Sequence, residues 1–384
     1  MVEWKKLGEV CDVLNGFAFK SNEYVNKGIR IIRISDVQSG YLSDKDKVFY
    51  PTAKKHEFQK QLLHAGDLVM SLTGNPGRVA LIEEDNCALN QRVACLRSNG
   101  LFNSFLFYFL NDKKFETIAF ANSTGGAQKN LSTTWLKNFL IPIPSLEEQE
   151  RIVGILDTFT ASIDNIKAQI EQRRKQYEHY RNTLLDLEGK EGVEMKSLKD
   201  IFNTRNGYTP STTNEKFWKE GTIPWFKMED IRDKGNILSD SYLHITPLAV
   251  KGKGLFKSNS IILATSATIG EHALILTDFL CNQRFTNFSL KEKYSDEVDM
   301  KFIYYYMFII DEWCKQHINQ GGFASVDMTG LYNLTIPIPT LARQQEIVSI
   351  LDTFEASITN LEAQLEQRQK QYEYYREKLL TNLS

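Results

Sequence analysis

The sequence predicts an α+β protein: two similar domains separated by an antiparallel pair of long coiled-coil helices, pseudo-twofold within one chain. Three observations predict it. A proline-punctuated helix start occurs twice, as IPIPSLEEQERIVGILDTF from residue 141 and IPIPTLARQQEIVSILDTF from residue 336. An apolar heptad runs through each copy. The segments that precede the copies share short motifs in the same order.

The duplication is strict. Residues 141–185 align with 336–380 without a gap, and 30 of 45 positions are identical, so one structural unit has been copied. Proline cannot continue a helix interior, so IPIP reads as an extended stretch just before the helix. Ser145 and Thr340 are the expected N-caps, with Glu147 and Glu148 in the first turn of the first copy only.

The seam runs Leu156, Phe159, Ile163, Ile166, Ile170, Arg173, Tyr177, Tyr180, Leu184 and Leu187. The second copy runs Leu351, Phe354, Ile358, Leu361, Leu365, Arg368, Tyr372, Tyr375 and Leu379. Steps of three and four alternate, the a/d pattern of a coiled coil, and about 40 residues make a rod of roughly 60 Å. The two helices are expected to pair with each other, with the tyrosines in the core rather than as a stacking platform. Each helix could instead pack only on its own domain, or pair with another molecule. A seam this narrow is less suited to a generic globular face. If the pairing is antiparallel, the domains that precede the helices fall at opposite ends of the rod. The expected boundaries are a first domain over 1–145, a central helix over 146–188, a second domain over 189–340 and a C-terminal helix over 341–384.

The domains are divergent copies. Asn15-Gly16 matches Asn206-Gly207, NQRVACL at 90–96 matches NQRFTNF at 282–288, and GGAQKNLS at 125–132 precedes the first IPIP as GGFAS at 321–325 precedes the second. IRIIRISDV, DLVMSLTGNPG and SIILATSATIG read as strands that end in turns. The apolar runs FNSFLFYFLNDKKFETIAF and MKFIYYYMFIIDEWCKQHI read as helices. This is not the regular alternation of a doubly wound sheet.

Composition narrows function by exclusion. The chain has 384 residues, 42% hydrophobic and 24% charged, ordinary for a globular protein of two or three domains. No apolar run is long enough to span a membrane, and MVEWKKLGEV has no apolar stretch after its lysines, so no signal peptide is expected. The five cysteines form no CxxC pair and the six histidines share no ligand spacing, so no metal site is expected, and the thiols read as reduced and buried in a cytoplasmic protein. Net charge is −2, although residues 1–140 carry 18 Lys and Arg against 14 Asp and Glu. Charge alone therefore does not point to nucleic acid, and any contact must use local patches. There is no GxxxxGK[ST], GxSxG or HExxH. The Asp/Asn-Pro-Pro-aromatic signature of amino-methyltransferases is absent too. KGKG at 251–254 is a poor phosphate cradle, and LKEKYSD is a solvated loop rather than a nuclease triad.

The layout of variable domain, repeated helix, variable domain, repeated helix resembles the specificity subunit of a type I restriction-modification system. The resemblance covers essentially the whole chain and rests on the Asn-Gly motifs, TGNPG, NQR, GGAQKNLS and above all IPIPSLEEQERI. The second copy departs from the pattern, with LARQQEI for LEEQERI and SATIG for TGNPG. The resemblance implies two target recognition domains, each reading one half of a split double-stranded DNA site. It also implies a helical spacer that docks two methyltransferase (modification) subunits, which a restriction/translocase subunit can join. No cofactor is expected in this chain, and S-adenosylmethionine and ATP belong to the partner subunits. Half-sites about one helical turn apart, roughly 34–36 Å, are the geometric expectation. A different class of function stays open: a structural adaptor whose coiled coil spaces two protein-binding domains.

Base edges are read by Arg, Asn and Gln, and phosphates by Lys, Arg, hydroxyls and backbone N–H groups. The candidate DNA contacts follow. TGNPGR supplies Thr73, Asn75 and Arg78, against a plain hairpin turn, and its counterpart Thr265, Ser266 and Thr268 can offer hydroxyls only. NQR supplies Gln91, Arg92, Gln283 and Arg284, against a structural edge. The glycine loops supply Gln128, Lys129, Asn130 and Gln320. Lys20, Arg30, Arg33, Tyr208, Lys227 and Arg232 lie where early loops face a ligand, although each alone reads more readily as solvated surface.

Overall fold

The computed structural model describes residues 2–98, 100–126, 128–319, 324–381 and 383. The chain forms two compact units, Met1–Ala168 with Glu362–Ser384, and Gln169–Leu361. Each unit therefore holds one domain and one half of each long helix.

IPIP is a strand in both units, and its partner is the first strand of its own domain. Leu140–Ile143 pairs antiparallel with Glu3–Lys6, placing Pro142 opposite Trp4. Thr335–Ile338 pairs with Glu194–Ser197, placing Pro337 opposite Met195. A two-stranded ribbon leaves one edge of the strand free, where a proline without an N–H is tolerated. The helices then run over Leu146–Leu185 and Leu341–Thr381. The expected caps form: Ser145 Oγ accepts from Glu148 N (3.3 Å) and Thr340 Oγ1 from Arg343 N (3.4 Å).

A repeated glutamine completes each junction. Gln149 and Gln344 are buried in the first helical turn, and each side-chain amide donates back to a proline carbonyl, Pro144 O (3.0 Å) and Pro339 O (2.8 Å). Gln344 also donates to Glu297 O (2.7 Å) and accepts from Asp299 N (2.8 Å). The proline that follows each strand would otherwise leave its carbonyl buried and unpaired, at a cost of about 1–3 kcal/mol.

In the first unit one antiparallel sheet takes the order Asp12–Asn15, Val93–Arg97, Leu68–Ser71, Val79–Leu81. A mixed sheet takes the order Phe49–Tyr50, Ile29–Ile32, Cys87–Leu89, Leu62–Leu63. In the second unit the order Phe202–Asn206, Phe285–Leu290, Ser260–Ala264, His272–Ile275, Ile237–Leu238 makes five strands. His244–Ile245, Ile223–Phe226 and Leu280–Cys281 make three. The run expected as one helix in the first domain is two, Gly100–Leu110 and Lys113–Ala121, because Asp112 starts a new helix by accepting from Lys114 N (2.8 Å). Its counterpart Met300–Gln316 is continuous.

The long helices pair with each other in the antiparallel sense. In the first unit Ile152, Val153 and Leu156 share a core with Leu379, and Phe159 stacks on Tyr375 at 5.3 Å, with Arg368 over the Phe159 ring. In the second unit Leu185 shares a core with Ile347, Val348 and Leu351, and Tyr180 stacks on Phe354 at 5.2 Å, with Arg173 over the Phe354 ring. The polar residue that interrupts each heptad thus covers an aromatic ring. Ile163, Ile166 and Ile170 are buried; Ile358, Leu361 and Leu365 are half-buried. Tyr177, Leu184 and Tyr372 pack at the edges of the cores and Leu379 inside one. Tyr180 and Tyr375 correct the expectation of a tyrosine core, being 47% and 43% exposed. A two-helix seam covers one face of such a ring and leaves the other to solvent. Leu187, also expected on the helical seam, lies beyond the helix end at Leu185 yet is buried.

The repeated ILDTF ties each helix to its domain. Tyr108 Oη donates to Asp157 Oδ1 (2.6 Å), and Tyr305 Oη donates to Asp352 Oδ1 (2.5 Å). Burial, reinforced by the aspartate, pushes both phenols up. The copies differ one turn on, where Glu355 replaces Thr160. Glu355 accepts from Tyr177 Oη (3.0 Å), yet burial holds its carboxyl above the ordinary carboxylate range. A raised carboxyl pKa means the folded state binds the proton more tightly. That contribution is present at low pH and fades as pH rises from the ordinary value through the raised one. Glu355→Gln keeps an acceptor for Tyr177 and removes the half-buried charge. The variant is therefore expected to melt above the wild type at pH 8, with the gap closing toward pH 4. Thermal melts across that range check this, and a gap independent of pH contradicts it.

Candidate nucleic-acid interface

The Asn-Gly and Asn-Gln-Arg motifs are two sides of one backbone contact. In the first unit Phe17 N donates to Leu89 O (2.8 Å) and Gln91 N donates to Phe17 O (2.9 Å). The chain at Gly16 lies so close to Asn90 that a Cβ there would stand 2.0 Å from Asn90 O. In the second unit Tyr208 N donates to Cys281 O (2.8 Å), and a Cβ on Gly207 would stand 2.2 Å from Asn282 O. Only glycine permits that approach.

The end of the next strand joins this pair to the glycine loop. Leu72 N donates to Arg92 O (3.0 Å), and Leu131 N donates to Leu72 O (2.8 Å). The second unit repeats the arrangement, with Thr265 N to Arg284 O (3.0 Å) and Val326 N to Thr265 O (2.9 Å). In the first unit Thr73 Oγ1 adds a bond to Asn130 Oδ1 (3.0 Å), and Gly74 N donates to Lys129 O (2.9 Å). Three motifs far apart in sequence thus form one loop cluster in each unit.

The cluster spends its backbone on itself and turns selected side chains outward. Asn75, Gln91, Arg92 and Gln128 are exposed, and none makes a side-chain hydrogen bond or ion pair among the described residues. Lys129 rests over the Phe120 ring at 5.4 Å. In the second unit Arg284 is exposed with its guanidinium unpaired among the described residues, and Gln283 Oε1 accepts from Thr209 Oγ1 (2.5 Å). Ser266 bridges Ser325 and is half-buried. Amides and guanidinium groups on a fixed frame are the groups that read base edges bidentately.

Several other candidates are taken up by internal partners. Arg30 is buried, donating to Ser43 O (2.8 Å) and paired with Asp44 (3.1 Å). Arg33 holds Asp36 (3.0 Å) and Asp46 O (2.7 Å). Arg78 donates to Gln38 Oε1 (2.9 Å). Tyr208 Oη donates to Ala249 O (3.0 Å) and accepts from Lys251 N (2.9 Å). Arg232 pairs with Glu271 (3.0 Å), and Lys227 lies 3.7 Å from Glu229. Thr265 is buried against the Thr286 hydroxyl (3.0 Å), and the Thr268 hydroxyl is buried. Lys20 is exposed, 3.9 Å from Glu23. Gln320 lies outside the described residues.

Two basic segments lie beside the clusters, one that the motif reading passed over and one, KGKG, that it set aside as a poor phosphate cradle. Thr52–Gln61 carries Lys55 and Lys60, exposed and unpaired among the described residues, and its Gln61 donates to Asn15 O (3.4 Å). In the second unit Lys251 and Lys253 are exposed, Lys251 lies over the Tyr208 ring at 5.0 Å, and Arg205 donates to Lys253 O (2.9 Å). Each segment follows a short strand, Phe49–Tyr50 or His244–Ile245. That shared position was the available signal, and divergence of the letters hid it.

All five cysteines are buried, and burial pushes their thiols up, to about 11 for Cys87 and about 12 for Cys11 and Cys314. Among the described residues no three His, Cys, Asp or Glu side chains are placed to hold a metal. No described helix is long and apolar enough to cross a membrane.

Residues 1–173 and 190–370 each match the type I restriction modification DNA specificity domain. The specificity subunit of the EcoprrI type I restriction enzyme of Escherichia coli is 50% identical over 200 residues, a stretch covering 49% of this chain and 50% of that one. The EcoR124I/EcoR124II specificity subunit of the same species is 35% identical over 74% of this chain and 72% of its own. The crystal structure of an S subunit from M. genitalium superposes with a TM-score of 0.57 at 17% identity, covering 100% of this chain and 96% of that one. A chain from a structure concerned with complex assembly and conformational transition of the type I R-M system reaches 0.62 at 18% identity, covering 100% and 97%. At those identities the likeness is one of fold.

The Gly16 contact can be tested directly. Gly16→Ala forces a methyl group into the Asn90 backbone, and overpacking of this kind costs about 1–3 kcal/mol. The expected result is a lower midpoint in urea unfolding, whereas Gly126→Ala, where a Cβ meets nothing within 4 Å, leaves the midpoint unchanged.

Proposed function

Because the chain belongs to the family of type I restriction-modification DNA specificity subunits, we propose that it reads a bipartite, asymmetric DNA site, one half through each domain. The observation that carries this reading is the loop cluster built twice. Each copy has the same backbone frame and the same outward Gln-Arg pair, Gln91 and Arg92 in one and Gln283 and Arg284 in the other, while the surrounding groups differ: Asn75, Gln128 and Lys129 stand outward in the first unit, and Thr268, at the place of Asn75, keeps its hydroxyl buried in the second. A shared frame with different reading groups recognises two different half-sites. Lys55, Lys60, Lys251 and Lys253 flank the clusters as phosphate contacts, which position the protein without specifying sequence.

On the same reading the duplicated helices dock two methyltransferase subunits, and through them a restriction/translocase subunit. The likeness of the two helix copies, identical at 30 of 45 aligned positions, supports two equivalent docking faces for two identical partners. The chain selects DNA, while S-adenosylmethionine and ATP are used by the partner subunits. The acidic overall balance fits this division, since much of the phosphate affinity then comes from the assembled complex.

Two measurements check the proposal. Replacing residues 1–145 with those of a relative, in complex with the methyltransferase subunit, is expected to change one half of the methylated site and leave the other. A change in both halves, or in neither, contradicts the two-reader arrangement. Lys55→Ala with Lys60→Ala is expected to weaken binding to all sequences alike. The slope of log affinity against log salt should become shallower by about 0.9 for each phosphate that is no longer neutralised.

A further inference from the structure

Apart from the loop clusters, the second unit carries an open acidic groove of about 690 Å³ where the end of the first long helix faces the helix Met300–Gln316. Its carboxylates are Glu178, Asp186, Glu188, Glu271, Asp311 and Glu312, against two cations, Arg181 and Lys315. Part of this charge is answered locally. Lys315 holds Glu312 (2.6 Å), and Arg232 holds Glu271 (3.0 Å). Glu178, Asp186 and Glu188 are exposed with no ion pair among the described residues. The Arg181 guanidinium lies over the Phe308 ring at 4.5 Å.

A second observation points to a ligand. Asp311 lines the groove and is only 6% exposed. One of its oxygens takes His272 Nδ1 at 2.6 Å, and the other, Oδ1, is buried without a hydrogen-bond partner. A buried carboxylate oxygen left unanswered is costly unless a donor arrives. The equivalent helix end of the first unit is engaged within the chain. There the end of the second long helix supplies Arg376, which donates to Tyr108 O (3.2 Å) and pairs with Asp112 (3.0 Å), while Glu377 takes Lys114 (2.9 Å). In the second unit the repeat sets Asn182 at the position of Glu377, and Arg181, the equivalent of Arg376, is turned onto Phe308.

We propose that this groove is a docking surface for an arginine- or lysine-rich segment of a partner protein, whose cationic side chain donates to Asp311 while its neighbours meet Glu178, Asp186 and Glu188. DNA does not fit it, because phosphates are repelled by the same carboxylates. The helix end that the first unit engages with its own chain is here left open, so the surface belongs to one unit only. Docking in this groove does not depend on how the loop clusters read DNA.

The test uses the full chain and a fluorescein-labelled hexa-arginine peptide, read by anisotropy at low ionic strength. The combined variant Glu178→Gln, Asp186→Asn, Glu188→Gln alters exposed side chains and is expected to fold. It should bind the peptide about tenfold more weakly, a change of about 1.4 kcal/mol. Asn182→Lys places a cation in the groove and should weaken binding as well. As a control, Glu83→Gln, Glu84→Gln, Asp85→Asn removes three exposed charges from the first unit and should leave binding unchanged. The proposal is overturned if the groove variants bind as the wild type does, or if the control is weakened as much.

Discussion

Each compact unit depends on one constraint: a domain must be closed by halves of two helices that lie far apart in the chain. The pairing is antiparallel, so the early half of one helix meets the late half of the other. Phe159 against Tyr375 and Tyr180 against Phe354 are the same contact made once in each unit. The arginine that interrupts each heptad covers the aromatic ring across the seam. Neither domain can therefore be assembled from a contiguous stretch of sequence, and the long helices serve the domain cores as well as each other.

The junctions that deliver the helices are equally economical. A proline strand closes the ribbon of its own domain, and proline then denies the strand any continuation. A glutamine one turn into the helix takes up the carbonyl that the proline leaves behind. The aspartate of ILDTF receives a tyrosine from the domain helix. These contacts explain why letters that look ornamental in the repeat are shared by both copies. Where the copies differ, as at Thr160 and Glu355, the second unit sets a half-buried carboxylate where the first has a hydroxyl.

The loop clusters separate frame from reader. Gly16 and Gly207 make room for the backbone of Asn90 and Asn282, and the strand ends at Leu72 and Thr265 hold the neighbouring loops by main-chain bonds. Such bonds are indifferent to side chains, which leaves positions such as Asn75 and Gln128 free to differ while the Gln-Arg pair is common to both units. Arg30, Arg33, Arg78 and Tyr208 have the right chemistry for nucleic acid but are used internally. Residue type alone could not distinguish a guanidinium held by Asp44 from one facing solvent.

By itself the sequence determined the duplication, the extents of the helices to within a few residues, their caps, the heptad seam and the place of IPIP as an extended segment. These are periodic or local features, set by steps of three and four, by proline and by hydroxyl caps, and so they are visible along the chain. Only the tertiary structure decided which candidates face outward, how three motifs become one cluster, and that Tyr180 and Tyr375 are half-exposed. It alone placed Lys55, Lys60, Lys251 and Lys253 beside the clusters. The physical reason is distance along the chain: pairings such as Gly16 with Asn90, Leu72 with Leu131 and Arg30 with Asp44 depend on backbones brought together by folding, and no spacing rule within one segment records them.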